Sequence, residues 1–174
     1  MTTVVFSHGQ ESGPWGTKIR AMAERVKSMG CDAHSIDYQG IADPTERVEK
    51  CIEECASLAG PLLLVGSSMG GHVATAAADE TGAIGLFVLA PAYFMEDFED
   101  LTPAPPSVPI CIVHGWHDDI VPVDHSIRFA RSCSATLHIV DGDHRLTAHI
   151  GAINDYLQQF ILAVTRDSGN QRDD

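Results

Sequence analysis

Gly66-Ser67-Ser68-Met69-Gly70 places a serine between two glycines, G-x-S-x-G, where the apolar run Leu62 to Val65 stops and the stretch rich in Ala74, Ala76, Ala77 and Ala78 begins. A serine hydroxyl becomes a nucleophile when a neighbouring base can take its proton. A sharp turn from strand to helix holds it clear of its own backbone for attack. Such a turn requires near-absent side chains two residues before and two residues after the serine. Ser68 meets that condition, whereas Ser67 would have Val65 and Met69 at those positions, both too bulky. The helix that follows aims its free amide N–H groups at the serine, a favourable place for negative charge to develop. Taken alone, the stretch also reads as a glycine-rich turn without chemistry. A nucleotide-binding loop fits worse: His72 and Val73 follow Gly71 where a Walker loop needs Lys and then Ser or Thr, and no G-x-G-x-x-G occurs. No cofactor is expected.

The partners such a serine needs lie far along the chain. His114-Gly115-Trp116-His117-Asp118-Asp119-Ile120-Val121-Pro122 offers a carboxylate, and Asp141-Gly142-Asp143-His144 offers an imidazole. Serine, then acid, then histidine is one of the chain orders in which a Ser-His-Asp relay is built. Spacing leaves Asp118 and Asp119 both open as the acid, and either could instead cap the turn before the helix at Pro122. His144 could be a surface loop histidine. A metal-dependent hydrolase is a rival reading, because His114, His117, Asp118, Asp119, Asp124 and His125 crowd one segment. That segment has no H-E-x-x-H or comparable ligand spacing, so no metal is expected. A non-catalytic binding module on the same fold is the second rival.

These residues must be positioned by an alternation of strands and helices. Thr3 to Phe6, Ala33 to Ile36, Leu62 to Val65, Ile84 to Leu89, Ile110 to Val113 and Thr136 to Val140 read as strands. The first helix carries Ile19, Met22, Ala23, Val26 and Met29 at helical spacing and stops at Gly30. The second is capped by Asp43-Pro44, lines one face with Val48, Ile52, Cys55 and Ala59, and ends at Gly60-Pro61. Further helices are expected after the serine, over Val123 to Arg131, and over Ala148 to Val164 with Ile150, Ile153, Leu157 and Ile161 inward. Such alternation implies an α/β fold with about six parallel strands covered by helices on both faces. Gln10, Ser68, Asp118 and His144 then all fall just beyond the C-terminal ends of strands, the edge where open α/β sheets bind ligands. Between the fourth and fifth strands, Pro91-Ala92-Tyr93-Phe94-Met95 is an aromatic loop. The acidic, proline-rich Glu96 to Pro109 is expected to be a surface excursion.

The 174 residues suffice for one domain, expected over residues 1–165, with a polar and disordered tail over 166–174. Eleven Lys and Arg against 24 Asp and Glu give a net charge of −13, which repels phosphate backbones and anionic lipid, so neither nucleic acid nor membrane is an expected partner. The chain opens directly on an apolar strand without a signal-like segment, and its five cysteines are odd in number and scattered. A cytoplasmic location with reduced thiols is expected. Cys51 and Cys55, one helical turn apart, are read as a half-buried helix face.

Through SHGQESGPWGTK, GSSMGG, HGWHDDIVP and GDH, the sequence resembles the α/β-hydrolase superfamily over nearly its whole length. It is most similar to small, lidless bacterial serine esterases of the YqiA-like kind. Their HG-x-x-S-x-P-x-x-x-K opening is approached here by His8, Gly9, Ser12, Pro14 and Lys18, with Gly13 between Ser12 and Pro14. The resemblance implies a minimal α/β-hydrolase fold without the usual first two strands or a cap domain. It implies Asp118 as the acid, through the match of His114, Gly115, Asp118, Val121 and Pro122 to HG-x-x-D-x-x-V-P. Ser68, His144 and Asp118 would then cleave short-chain carboxylic esters through an acyl-enzyme, with thioesters or small amides as the alternative. The backbone N–H groups of Met69 and Gln10 would form the oxyanion hole. Trp15, Tyr93, Phe94, Met95 and Trp116 are candidates for the substrate pocket. The expected partner is a small-molecule ester, taken up by a monomer or weak homo-oligomer.

Overall fold

A computed structural model of the chain describes residues 1–96 and 99–170. Six strands form one sheet: β1 (Thr3–Ser7), β2 (Asp32–Ile36), β3 (Leu62–Ser67), β4 (Gly85–Leu89), β5 (Ile110–Gly115) and β6 (Thr136–Val140), in the order β2-β1-β3-β4-β5-β6. Every pairing is parallel. The helices are α1 (Thr17–Ser28), α2 (Pro44–Ala56), α3 (Met69–Ala77), α4 (Val123–Cys133) and α5 (Ile150–Asn170).

Period-two alternation sorts the strand residues between two cores. Leu62 and Leu64 of β3 join Val5, Leu86, Val88 and Ile112 beneath α2, α3 and α4, which contribute Cys51, Val73 and Phe129. Leu63 and Val65 face the other way, with Phe6, Phe87 and Val113 against Met22 and Val26 of α1 and Leu157 and Ile161 of α5. Leu63 and Leu64 are essentially inaccessible to solvent. Burying each contributes ~1.5–3 kcal/mol, which explains why β3 is apolar without interruption.

The chain leaves β1 for β2 on one side and returns to β3 on the other, so their C-terminal ends stand side by side, with Ser7 opposite Gly66. Loops diverge at such a switch and leave a crevice.

Several boundaries differ from the sequence reading. Asp43 caps α2 as expected, its Oδ1 accepting from the amides of Thr45 at 2.7 Å and Glu46 at 3.3 Å. The helix stops at Ala56, however, and does not carry Ala59. The Ser57 amide bonds back to Glu54 O and the Leu58 amide to Cys55 O, tightening the last turn so that Leu58 meets the core instead. A 3-10 turn, Thr147–His149, precedes α5, which then runs to Asn170 rather than Val164. Helical backbone therefore extends into the polar segment, and 171–174 lie outside the described residues. The only regular element described between β4 and β5 is a 3-10 turn, Glu99–Leu101. The excursion is tied down by Phe94 N–H to Thr102 Oγ1 at 2.7 Å and Ser107 N–H to Asp79 Oδ1 at 2.9 Å. Residues 97 and 98 lie outside the description.

Candidate active site

Ser68 stands between β3 and α3 with φ 55° and ψ −120°, a backbone conformation that L-residues rarely adopt. Strain of this kind costs about 1–3 kcal/mol and persists only where the surroundings enforce it. Here they do so by close backbone approach. A Cβ on Gly66 would lie 2.2 Å from Gly70 O, and one on Gly70 would lie 2.0 Å from Ser7 O. The Ser68 amide is fastened to Leu89 O at 2.9 Å, and its carbonyl accepts from Gly71, His72 and Ala92. Both glycines of G-x-S-x-G are thus steric requirements, as the sequence pattern indicated.

His144 Nε2 lies 3.1 Å from Ser68 Oγ, and His144 Nδ1 lies 2.7 Å from Asp118 Oδ2. Because a carboxylate accepts, Nδ1 carries the proton and Nε2 presents a lone pair to the serine hydroxyl. Residues 68, 118 and 144 come together as the pattern required, while Asp119 is exposed at the surface. Asp118 also fills the capping role. Its Oδ1 accepts from Ile120 N–H at 2.9 Å and Val121 N–H at 2.8 Å, while Oδ2 faces the imidazole. Asp118 therefore caps the turn with one oxygen and faces the imidazole with the other.

The loops carrying Asp118 and His144 are stitched to one another. Trp116 N–H donates to Val140 O and His117 N–H to Gly142 O, both at 2.9 Å. A Cβ on Gly115 would meet Gly142 O at 2.2 Å, so the two strand ends can approach only because Gly115 has no side chain. Asp143 is exposed and caps the following turn through the amides of Arg145 and Leu146.

Three further polar residues surround this relay: His114 and Lys18, which the sequence motifs contain without a role in the relay, and Arg47, which no motif contains. His114, with a fully buried side chain, donates from Nε2 to Asp118 Oδ2 at 3.0 Å and to Val121 O at 2.9 Å, and its Nδ1 pairs with Ser126 Oγ at 2.7 Å. Burial of Asp118 raises its pKa, but the hydrogen bonds from His114, His144 and the amides of Val121 and Ile120 outweigh this and hold the carboxyl well below its ordinary range. Lys18 Nζ donates to Ser67 Oγ at 3.1 Å. Burial brings the Lys18 pKa down to about 8 against the opposing pull of Asp143 and Asp118. Arg47 is 2% exposed and lies behind the loop after β1. The signal for Arg47 was its place four residues before Cys51, on the buried face of α2.

Met69 is the first residue of α3, so its N–H has no partner within the helix. Gly9 brings the loop after β1 against the turn: a Cβ there would stand 3.5 Å from Ser68 Cβ and 3.5 Å from Ser67 O. Gln10, next in the chain, is exposed. Of the aromatic residues expected around a pocket, Trp15 and Trp116 are 40% and 56% exposed, on the loops after β1 and β5. Phe94 and Met95 are partly buried, and the Arg128 guanidinium lies 3.8 Å above the Phe94 ring. Tyr93 belongs to the core and not to a pocket wall: its ring stacks on Phe129 at 4.1 Å and its hydroxyl is satisfied by Thr75 Oγ1. Among the described residues no group of three or more His, Cys, Asp or Glu side chains is arranged to hold a metal ion. Among those residues, too, no helix is long and apolar enough to cross a membrane.

The alpha/beta hydrolase domain family matches residues 1–164 of the chain. A crystal structure of a candidate hydrolase of the alpha/beta superfamily from Xanthomonas campestris pv. campestris superimposes with a TM-score of 0.84 at 31% identity, over 92% of this chain and 98% of that one. Palmitoyl-protein thioesterase ABHD10, mitochondrial, from Bos taurus is 25% identical across 82% of this chain and 67% of its own length. The structure of alpha/beta hydrolase domain-containing protein 10 from mouse gives a TM-score of 0.78 at 21% identity, over 93% of this chain and 90% of that one.

Proposed function

The chain belongs to the alpha/beta-hydrolase family, and on that premise we propose that it is a serine hydrolase that cleaves short-chain carboxylic esters through an acyl-enzyme. The observation that carries this reading is the 3.1 Å approach of His144 Nε2 to the hydroxyl of Ser68 on its strained turn. Ser68 Oγ attacks the ester carbonyl carbon as its proton passes to His144 Nε2. The tetrahedral intermediate collapses, the alcohol leaves with that proton, and the acyl group stays on Ser68. Water then attacks the acyl carbon, gives a proton to His144 and releases the acid as Ser68 Oγ takes the proton back. Asp118 fixes the tautomer through the 2.7 Å bond to Nδ1 and steadies the imidazolium. The N–H groups of Met69 and Gln10 receive the oxyanion, each such donor being worth ~3 kcal/mol.

A thioester is the second substrate class, favoured by the similarity to the bovine thioesterase. The relay is the same for either, so the leaving group distinguishes them only by rate. The preference for short acyl groups is supported by the connection between β4 and β5, whose described residues form no element longer than three residues. We also propose that the protein acts in the cytoplasm on a free small-molecule substrate, as a monomer or weak homo-oligomer.

The test is turnover of matched aryl esters and acyl thioesters by wild type and by Ser68→Ala. The reading requires that wild type hydrolyse at least one series and that the variant, folded to the same melting temperature, lose that activity. Undiminished turnover by folded Ser68→Ala would refute it.

A further inference from the structure

Arg47 presents a problem in burial energetics. A guanidinium that is 2% exposed has given up its hydration, and such groups are ordinarily compensated by a carboxylate. Among the described residues no carboxylate pairs with Arg47. Its Nε donates to Ile41 O at 2.7 Å, and its guanidinium stands 5.3 Å over the Tyr38 ring. Its Nη1 reaches two carbonyls of the loop after β1, His8 O and Gly9 O, each at 3.4 Å. An uncompensated cation has thus been brought to the back of the loop whose front lies against Ser68.

The same loop is held by a second buried group. Tyr38 N–H donates to His8 Nε2 at 2.9 Å, so that nitrogen carries no proton and the proton of the neutral ring sits on Nδ1. Nδ1–H then donates to Gly9 O at 2.7 Å. Burial, assisted by the Arg47 charge and opposed by the Gly9 bond and Asp37, lowers the His8 pKa and so favours the neutral tautomer. Gly9 O therefore has two donors, an imidazole N–H and a guanidinium N–H, both within the protein.

The peptide joining Gly9 to Gln10 is trans, since the described backbone contains no cis bond. In a trans peptide the C=O and N–H point in opposite directions. With Gly9 O turned to His8 and Arg47 inside, the Gln10 N–H points the opposite way, away from the guanidinium, in a loop whose Gly9 stands against Ser68 and whose Gln10 is exposed. Resting on the serine-hydrolase reading above, we infer that Arg47 is the positioning residue of the oxyanion hole: with His8 it locks the Gly9–Gln10 peptide so that its N–H faces the reacting carbonyl oxygen. The buried charge polarises that peptide as the oxygen becomes negative. A flipped peptide would present a carbonyl oxygen to the oxyanion. It would also strand the His8 N–H and leave the guanidinium one acceptor fewer in a buried site.

The experiment compares wild type, Arg47→Met and Arg47→Lys in aryl ester turnover and in binding of an alkyl boronic acid, which forms a tetrahedral adduct on a nucleophilic serine. Arg47→Met lowers kcat and boronate affinity together, each by roughly 10- to 100-fold, with KM changed much less, because the lost interaction forms only in the transition state. Arg47→Lys, which keeps the charge but not the planar fork, falls between the two. A folded Arg47→Met with wild-type kcat and boronate affinity overturns the inference. If Arg47→Met does not fold, wild type alone decides: the Gln10 amide proton moves downfield when the boronate adduct forms, and an unmoved resonance overturns the inference equally. A wild type that forms no boronate adduct removes the serine-hydrolase reading and this inference together. A wild type that forms one, alongside an unaffected Arg47→Met, removes this inference alone.

Discussion

His114 Nε2 and His144 Nδ1 donate to the same carboxylate oxygen, Oδ2 of Asp118, at 3.0 and 2.7 Å. Asp118 therefore accepts four hydrogen bonds, two on each oxygen, in a site where its side chain has no exposed surface. Its rotamer and charge are fixed before any substrate arrives. Replacement by Asn keeps the shape but offers an amide N–H where an acceptor is needed, which turns His144 into the wrong tautomer. Asp118→Asn is expected to lower kcat by about 10⁴-fold, and Asp119→Asn, at an exposed carboxylate, by less than about 3-fold. Steady-state kinetics on one aryl ester distinguishes them, and the reverse ranking would move the acid by one residue.

The depressed pKa of Asp118 also sets a pH dependence of stability. A carboxyl whose folded pKa lies below its unfolded value contributes stability that is fully present above the unfolded value and is lost as pH falls through the folded one. The stability gap between wild type and Asp118→Asn is therefore expected to be constant above about pH 5 and to shrink as pH falls below about 4. Urea titrations across that range measure it. A gap independent of pH down to the acid limit of the fold would show that the carboxylate is not held as described.

Lys18 runs in the opposite sense. Its pKa is about 8 in the folded protein against an ordinary 10.5. Between those values the unfolded chain binds a proton that the folded chain does not, so wild type gains stability as pH rises through that window. Lys18→Met has no such proton to lose. The difference in urea midpoint between the two proteins, taken at about pH 7.5 and pH 10, is expected to shift in favour of wild type at the higher pH. No shift would place the ammonium in water, and a shift the other way would show it held by opposite charge more strongly than burial penalises it.

Gly66→Ala and Gly70→Ala test the turn itself. Each new methyl would lie 2.2 Å or less from a backbone oxygen, so neither can be absorbed by a side-chain rotation. Both are expected to destabilise the protein by more than about 3 kcal/mol or to leave it unfolded. A Cβ at Gly30 meets nothing within 4 Å, so Gly30→Ala is expected to cost only the strain of its φ of +79°. Thermal melts of the three variants give the comparison.

Substrate length is tied to the connection after β4, whose described residues form no element longer than three residues. Each methylene left in water forgoes ~0.8 kcal/mol of burial, so kcat/KM on aryl esters is expected to peak at short acyl groups. A series from acetate to decanoate measures it, and a rate that climbs to the longest chains would mean that Phe94, Met95 and the following loop enclose them.

The central strands were legible in the sequence because strands buried on both faces read as nearly continuous apolar runs. Leu62 to Val65 and Gly85–Leu89 announce themselves by the absence of interruption. Ser68 was legible for a steric reason, since only one of two adjacent serines has glycine at both required positions. Asp118 and Asp119 could not be separated by spacing, and the fold separates them by burying one side chain and exposing the other. Tyr93 was misplaced because an aromatic residue in a loop looks the same in sequence whether its hydroxyl meets water or, as here, Thr75. His114 and Arg47 were harder still. Their roles are contacts across the fold, from β5 to the following turn and from α2 to the loop after β1, and no local pattern encodes such pairings.

Whether Ser68 is the nucleophile is read out by labelling with a fluorophosphonate, followed by intact mass and peptide mapping. Attack by an activated serine displaces fluoride and leaves one phosphonyl group on its oxygen. A single adduct on Ser68 is expected, with ester turnover lost in proportion to labelling, full labelling of Ser67→Ala, and none of Ser68→Ala. Labelling on another residue, or a wild type that stays unlabelled while it hydrolyses ester at full rate, would contradict it.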